Sequence, residues 1–149
     1  MNLMERRRGM MSSSSSTQKM LKKIATVTRT ATSGDNYVTW YFTDEAKNCS
    51  ELYLIFDVTV DTSAQFNVLI SGTSAQSKLG QLAAATTFQT TMVLSFTRAA
   101  TIGEYTFPIY VNASVGNTQR TPSVLNYLCF RPNSGTAQWQ GTIEIWGWV

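Results

Sequence analysis

Between Leu52 and Val60 every second residue is large and apolar: Leu52, Leu54, Phe56, Val58 and Val60, with Asp57, Thr59 and then Asp61 facing the other way. A period of two puts one set of side chains on a core and leaves the other wet, which a helix of 3.6 residues per turn cannot do. Runs of the same character recur at short spacing. Ile24–Thr32 sets Ile24, Thr26, Thr28, Thr30 and Thr32 on one face, and Tyr37–Thr43 follows a Ser33-Gly34-Asp35-Asn36 turn signal. Phe66–Ser71, Thr90–Thr97, Tyr105–Val111, Val124–Phe130 and Thr142–Trp148 complete the set. The spacing predicts an all-β protein: an antiparallel β-sandwich or jelly-roll-like domain of about eight strands. Pro108 offers no N–H and predicts a sheet-edge position for its run. Ser74–Ala85 is the exception, where Ala, Gln, Leu and Lys favour helix and Gly80 weakens it. It reads as a loop with one or two helical turns.

Composition agrees with strands and removes several kinds of chemistry. Fifteen Ser and 21 Thr make 36 of the 149 residues, while charged residues are only 14%. Uncharged polar groups therefore carry the solubility, and threonine suits the pleated surface. There is no histidine, so no Ser-His-Asp triad, Cys-His pair or His-ligated metal site can form. Cys49 and Cys129 are too few for a thiolate metal site and read as buried free thiols, with one bridge between them as the alternative. Asp57 and Asp61 share a face and Glu144 lies on another strand, but nothing in the sequence closes a cleft around them, as a glycosidase pair requires. Asp44-Glu45 lacks a calcium-loop pattern, and no glycine-rich run leads to a Lys-Ser/Thr pair. The expectation is a non-enzymatic chain with no metal and no cofactor.

The formal charge of +3 is a sum of two unlike parts. Residues 1–29 carry seven basic residues against Glu5, and residues 30–149 carry five basic against eight acidic. The first 23 residues also hold five of the six Met and a serine run from Ser12 to Ser16. Polyserine behaves as a linker, which suggests a basic, Met/Ser-rich arm over 1–23 and a β-domain over 24–149. The serine run interrupts any secretory signal, and no stretch of 18 apolar residues suggests a membrane span. Arm residues Met4, Arg6, Arg7, Arg8, Met10, Met11, Lys19, Lys22 and Lys23 are candidates for docking on a partner. Methionines add apolar contact that adapts to a groove, and arginine forks pair with acidic side chains, so a protein partner is preferred to nucleic acid. Phosphate neutralisation by the same cations is the second choice.

Aromatic residues supply the other candidate surface. Trp40, Tyr41 and Phe42 are consecutive, so at least one faces away from the core. Trp139, Trp146 and Trp148 crowd the last eleven residues. If Ile143 and Ile145 face inward, Glu144, Trp146 and Trp148 face outward together. Exposed tryptophan marks an interface or a stacking platform for sugars, so Trp40, Trp139, Trp146 and Trp148 are taken as interface or ligand-stacking residues. Coverage of this face by a second subunit or by the arm competes with glycan binding.

The opening Met4-Glu5-Arg6-Arg7-Arg8-Gly9-Met10-Met11 resembles the N-termini of small structural proteins in tailed bacteriophages. The ending Gly141-Thr142-Ile143-Glu144-Ile145-Trp146-Gly147 is similar to a closing strand of phage tail, baseplate or head-fibre sandwiches. The resemblance implies a virion component, made in the host cytoplasm, with the arm anchored on other virion proteins and the sandwich self-associating or projecting. A second resemblance, a basic arm before a jelly roll, is to capsid proteins of very small icosahedral viruses. It implies nucleic-acid packaging as the alternative, and a carbohydrate- or receptor-binding module is the third reading.

Overall fold

The computed structural model describes residues 18–70, 78–102, 105–115, 119–120 and 127–149. Within them the chain is nearly all β and antiparallel. The strands are β1 (Leu21–Arg29), β2 (Val38–Tyr41), β3 (Glu51–Ile70), β4 (Lys78–Ile102), β5 (Tyr105–Ala113), β6 (Gln119–Arg120), β7 (Tyr127–Pro132) and β8 (Trp139–Trp148). A single-turn helix, α1 (Asp44–Lys47), is capped by the Thr43 side chain, which accepts from the Ala46 N–H at 3.1 Å. The main order is β1-β8-β3-β4-β5-β6, and β7 joins β2 to β3. The result is one antiparallel sheet curled nearly into a barrel.

β3 organises this arrangement because it changes neighbours along its length. Leu52–Val60 pairs with β8, whereas Phe66–Ile70 pairs with β7. β4 follows on its other side throughout, with register shifts between Thr59 and Phe66 where the hairpin bends. The alternation over Leu52–Val60 is reproduced residue for residue: all five apolar positions are buried. Past the bend, Phe66, Asn67, Val68 and Leu69 are all buried, because this half of the strand is covered on both faces. The runs Leu52–Val60 and Phe66–Ser71, expected as two strands, are thus largely one strand of 20 residues.

Two further expectations change. Lys78–Ala85 is strand where helical turns were expected: Leu79 and Leu82 are buried in the core and Gly80 lies beneath Met92 and Ala113. Tertiary burial has overridden local propensity. In β1 the register slips between Lys23 and Ala25, so Ile24 is an extra residue and both Ile24 and Ala25 pack against the core. Beyond this bulge Val27 and Arg29 face inward and Thr26 and Thr28 outward, so Ile24 does not share a face with those threonines. The sheet also begins before residue 24. Met20 exchanges both backbone hydrogen bonds with Val149, at 2.9 and 3.0 Å, and places Lys22 and Lys23 inside β1 rather than in the arm.

The core is aromatic at its centre. Phe66 meets Phe56, Phe88 and Trp139 with ring centroids 5.2–5.7 Å apart, in edge-on or tilted contacts. Trp139 is fully buried, its indole N–H donating to the Asn36 carbonyl at 2.7 Å. Gly141 follows at φ +131°, where a Cβ would collide with the Asp57 carbonyl oxygen. β8 can lie this close to β3 only with glycine there. Gly141→Ala is expected to cost about 3 kcal/mol or more, through collision and backbone strain together. Equilibrium urea unfolding of the variant measures it.

Cys49 and Cys129 are both buried thiols with no disulfide between them, the first of the two alternatives read from the sequence. Burial pushes the Cys129 thiol up, against weaker opposing pulls from a Thr39 hydrogen bond and the Arg131 charge. Because the folded state holds this proton more tightly than the unfolded chain, its contribution to stability is complete at lower pH. It is lost as pH rises above the unfolded thiol's range, from about pH 8.5. Denaturant midpoints should fall across that window in the native sequence and fall less in Cys129→Ser, measured relative to each protein's value at pH 7.

Candidate functional site: an aromatic and acidic outer sheet face

Three strands, β1, β8 and β3, place their outward side chains in register rows. Leu21 lies opposite Trp148 and Lys23 opposite Trp146 across β1 and β8. Trp146 in turn lies opposite Tyr53, and Glu144 opposite Ile55, across β8 and β3. One end of this face is therefore apolar and aromatic, with Glu51 and Glu144 among the rings. Toward Gly141 it passes into Thr28, Asp57, Thr59, Gln140 and Thr142, which line a shallow depression. Trp148, Ile55 and Leu21 are 44%, 38% and 45% exposed, large apolar residues that the fold leaves in water.

The rings are held by their polar edges. Trp148 Nε1 donates to the Tyr53 hydroxyl at 3.2 Å, which donates to Glu51 Oε1 at 2.8 Å. Trp146 Nε1 donates to Glu144 Oε1 at 2.9 Å, and Lys23 Nζ lies 3.9 Å from Glu144 Oε2. Each indole N–H is thus satisfied within the sheet. What remains available to a partner is ring surface and carboxylate, an arrangement suited to apolar contact and to cations.

The tryptophans expected to act together divide. Trp146 and Trp148 share this face as the alternation required. Trp139, expected at an interface, is instead a core residue with no exposed surface, because the β7–β8 connection tucks it under Asn36 and Arg29. Trp40 is half-buried and packs on Phe42, whose ring meets Phe96, so it lines the core rather than a platform. The outward member of the Trp40-Tyr41-Phe42 run is Tyr41, which packs on Tyr127 with centroids 5.3 Å apart. Tyr53 and Ile55 belong to the face but were not singled out from sequence. Their signal is size: a tyrosine and an isoleucine stand on the wet phase of an otherwise amphipathic strand.

Of the candidate docking residues, Met4, Arg6, Arg7, Arg8, Met10 and Met11 lie outside the described residues. Lys19 is exposed just ahead of β1. Lys22 pairs with Glu45 at 3.1 Å and Lys23 with Glu144, so both cations are engaged within the domain. The acids read as a trio are placed apart in role. Asp57 and Glu144 are diagonal neighbours on the open face, since Asp57 opposes Thr142 and Glu144 opposes Ile55. Asp61 is turned to the β8 entry, where its Oδ1 accepts from the Gln138 N–H at 3.0 Å. Among the described residues no group of three acidic or cysteine side chains gathers to hold a metal.

Face and core should separate under mutation. Trp148→Ala should change the unfolding free energy by no more than about 1 kcal/mol, because the ring is half in water already. Trp139→Phe should cost about 2–3 kcal/mol through a lost hydrogen bond and an unfilled volume, measured by the same denaturant titration. No protein-family model matches the chain, and no curated protein matches it in sequence.

Proposed function

We propose that the chain is a non-enzymatic structural component of a tailed-bacteriophage virion, of tail, baseplate or head-decoration type. Its basic N-terminal arm docks on neighbouring virion proteins, and its β-domain self-associates or projects from the particle. The observation that supports this reading is the outer face: Leu21, Ile55 and Trp148 stand in water on the outside of the sheet beside ordered Trp146 and Tyr53. A protein with such a surface lowers its free energy by covering it, as repeated subunits of an assembly do. The bent β3–β4 hairpin, serving different neighbours with its two halves, supports reading the fold more finely as a jelly-roll-like sandwich.

Protein docking is favoured over nucleic-acid packaging by the state of the lysines. Lys22 and Lys23 stand beside Glu45 and Glu144, which lowers their value to phosphate and leaves the arm's arginines as its main cations. The test is incorporation. In cells producing the phage that encodes it, a chain lacking residues 1–17, which keeps all of β1, should accumulate folded and be missing from purified particles. Wild-type incorporation of the shortened chain overturns the reading. Binding of DNA or RNA by the full chain, with a log–log salt slope of several units, replaces it with the packaging alternative. Glycan binding abolished by Trp148→Ala replaces it with the carbohydrate-binding one.

A further inference from the structure

We infer that the partner surface for the arm is the outer aromatic face of a second copy of this chain, with the segment Leu3–Met11 lying over Trp146, Trp148 and Tyr53. The inference rests on the proposal that the arm docks on a neighbour, and it names that neighbour. Three observations carry it.

The first is chemical complementarity. Leu3, Met4, Met10 and Met11 flank Arg6-Arg7-Arg8, with Glu5 as the segment's one acid. The face offers apolar Leu21, Trp148 and Ile55 beside Glu51, Glu144 and Asp57, with Lys23 as its cation. Methionines fit irregular aromatic surface, and arginine forks match carboxylates. Glu51 and Glu144 each orient a ring, so cation and thioether would meet acid and indole side by side.

The second is reach. Nine residues lie between Met11 and Leu21, ten steps along the chain that span up to about 35 Å when extended. The face is three strands wide at about 4.8 Å per strand, so the segment is long enough to pass the limits of this face. The third is position. Met20 is paired with Val149, and Leu21 with Trp148, so the chain enters the sheet at the corner where β8 ends, at the rim of the face and not across it. A segment that enters at the rim is placed to cross to a neighbouring copy packed at that corner. Exchange between two copies satisfies both arms and both faces at once, the self-complementary arrangement of a two-fold dimer.

Charge exchange tests this in the full chain. Variant one carries Arg6→Glu, Arg7→Glu and Arg8→Glu, and variant two carries Glu51→Lys and Glu144→Lys. Sedimentation velocity should show wild type self-associating and each variant alone weakened by about ten-fold or more, since each now sets like charges together. An equimolar mixture should recover association to within about three-fold of wild type, because each arm then meets a face of opposite sign on the other variant. Trp148 fluorescence should become less accessible to acrylamide as association proceeds, and Trp148→Phe should remove that change. Variant one leaves the sequence of every described strand unchanged, so its result stands even if variant two is destabilised. The inference is overturned by a wild-type chain that stays monomeric, by variant one associating normally, or by two folded variants that fail to rescue each other. Trp148 shielding within a monomer overturns it in favour of the arm's own face. If the arm is needed for incorporation while self-association ignores its charge, the inference falls and the proposed function stands.

Discussion

The buried Trp139 is the point on which the closed end of the sheet depends. Its indole N–H is spent on the Asn36 carbonyl, and the Asn36 side-chain amide donates to the Ser134 and Ala137 carbonyls, each at 2.7 Å. Arg29 lies over the ring at 5.5 Å and donates to the Trp139 carbonyl, to Asp35 O and to Gln138 Oε1. Burial pulls this guanidinium below its ordinary pKa, yet arginine keeps its charge at any pH the fold meets. One aromatic residue and two polar ones thereby tie the end of β1, the β1–β2 connection and the β7–β8 connection to a single spot. Removing any member strands buried donors or acceptors, which costs more than the bond itself contributes.

The remaining architecture follows from β3. A strand that keeps strict alternation for nine residues can bury only one face, and Leu52–Val60 does so with β8 and β4 paired along its two edges. The register shifts that follow release it from that plane and let Phe66–Ile70 join β7. The same bend brings Phe66 under Trp139, so the curl of the sheet and the aromatic centre of the core arise together. Gly141 then permits β8 to close on β3 without a side chain between them.

Legibility in the sequence followed the strength of the period. Leu52–Val60 was readable because solvent and core enforce opposite preferences on alternate residues, and Trp146 and Trp148 followed from Ile143 and Ile145 by the same rule. Lys78–Ala85 misread because alanine, leucine and lysine favour helix locally, while burial of Leu79 and Leu82 decides the outcome. Trp139 misread because its partner Asn36 lies 103 residues away, a contact that no local pattern reports. The bulge at Ile24 shifts a face by one residue, and a single inserted residue leaves no signature in a threonine-rich run. For the candidate site, the tryptophans and Glu144 were visible on one face, but Tyr53 and Glu51 were not, since strand pairing alone brings them to Trp148.

The pairing of β1 with β8 has a mechanical consequence. A pull on the chain ahead of Met20 enters β1 at Leu21 and runs along the strand axis, with β8 lying antiparallel from Gly141 to Trp148. Load applied in that direction is shared across the ladder, so the hydrogen bonds resist as a group rather than parting one by one from an end. A tether attached at this corner would transmit tension into the sheet in shear, the orientation in which a β-ladder yields least readily.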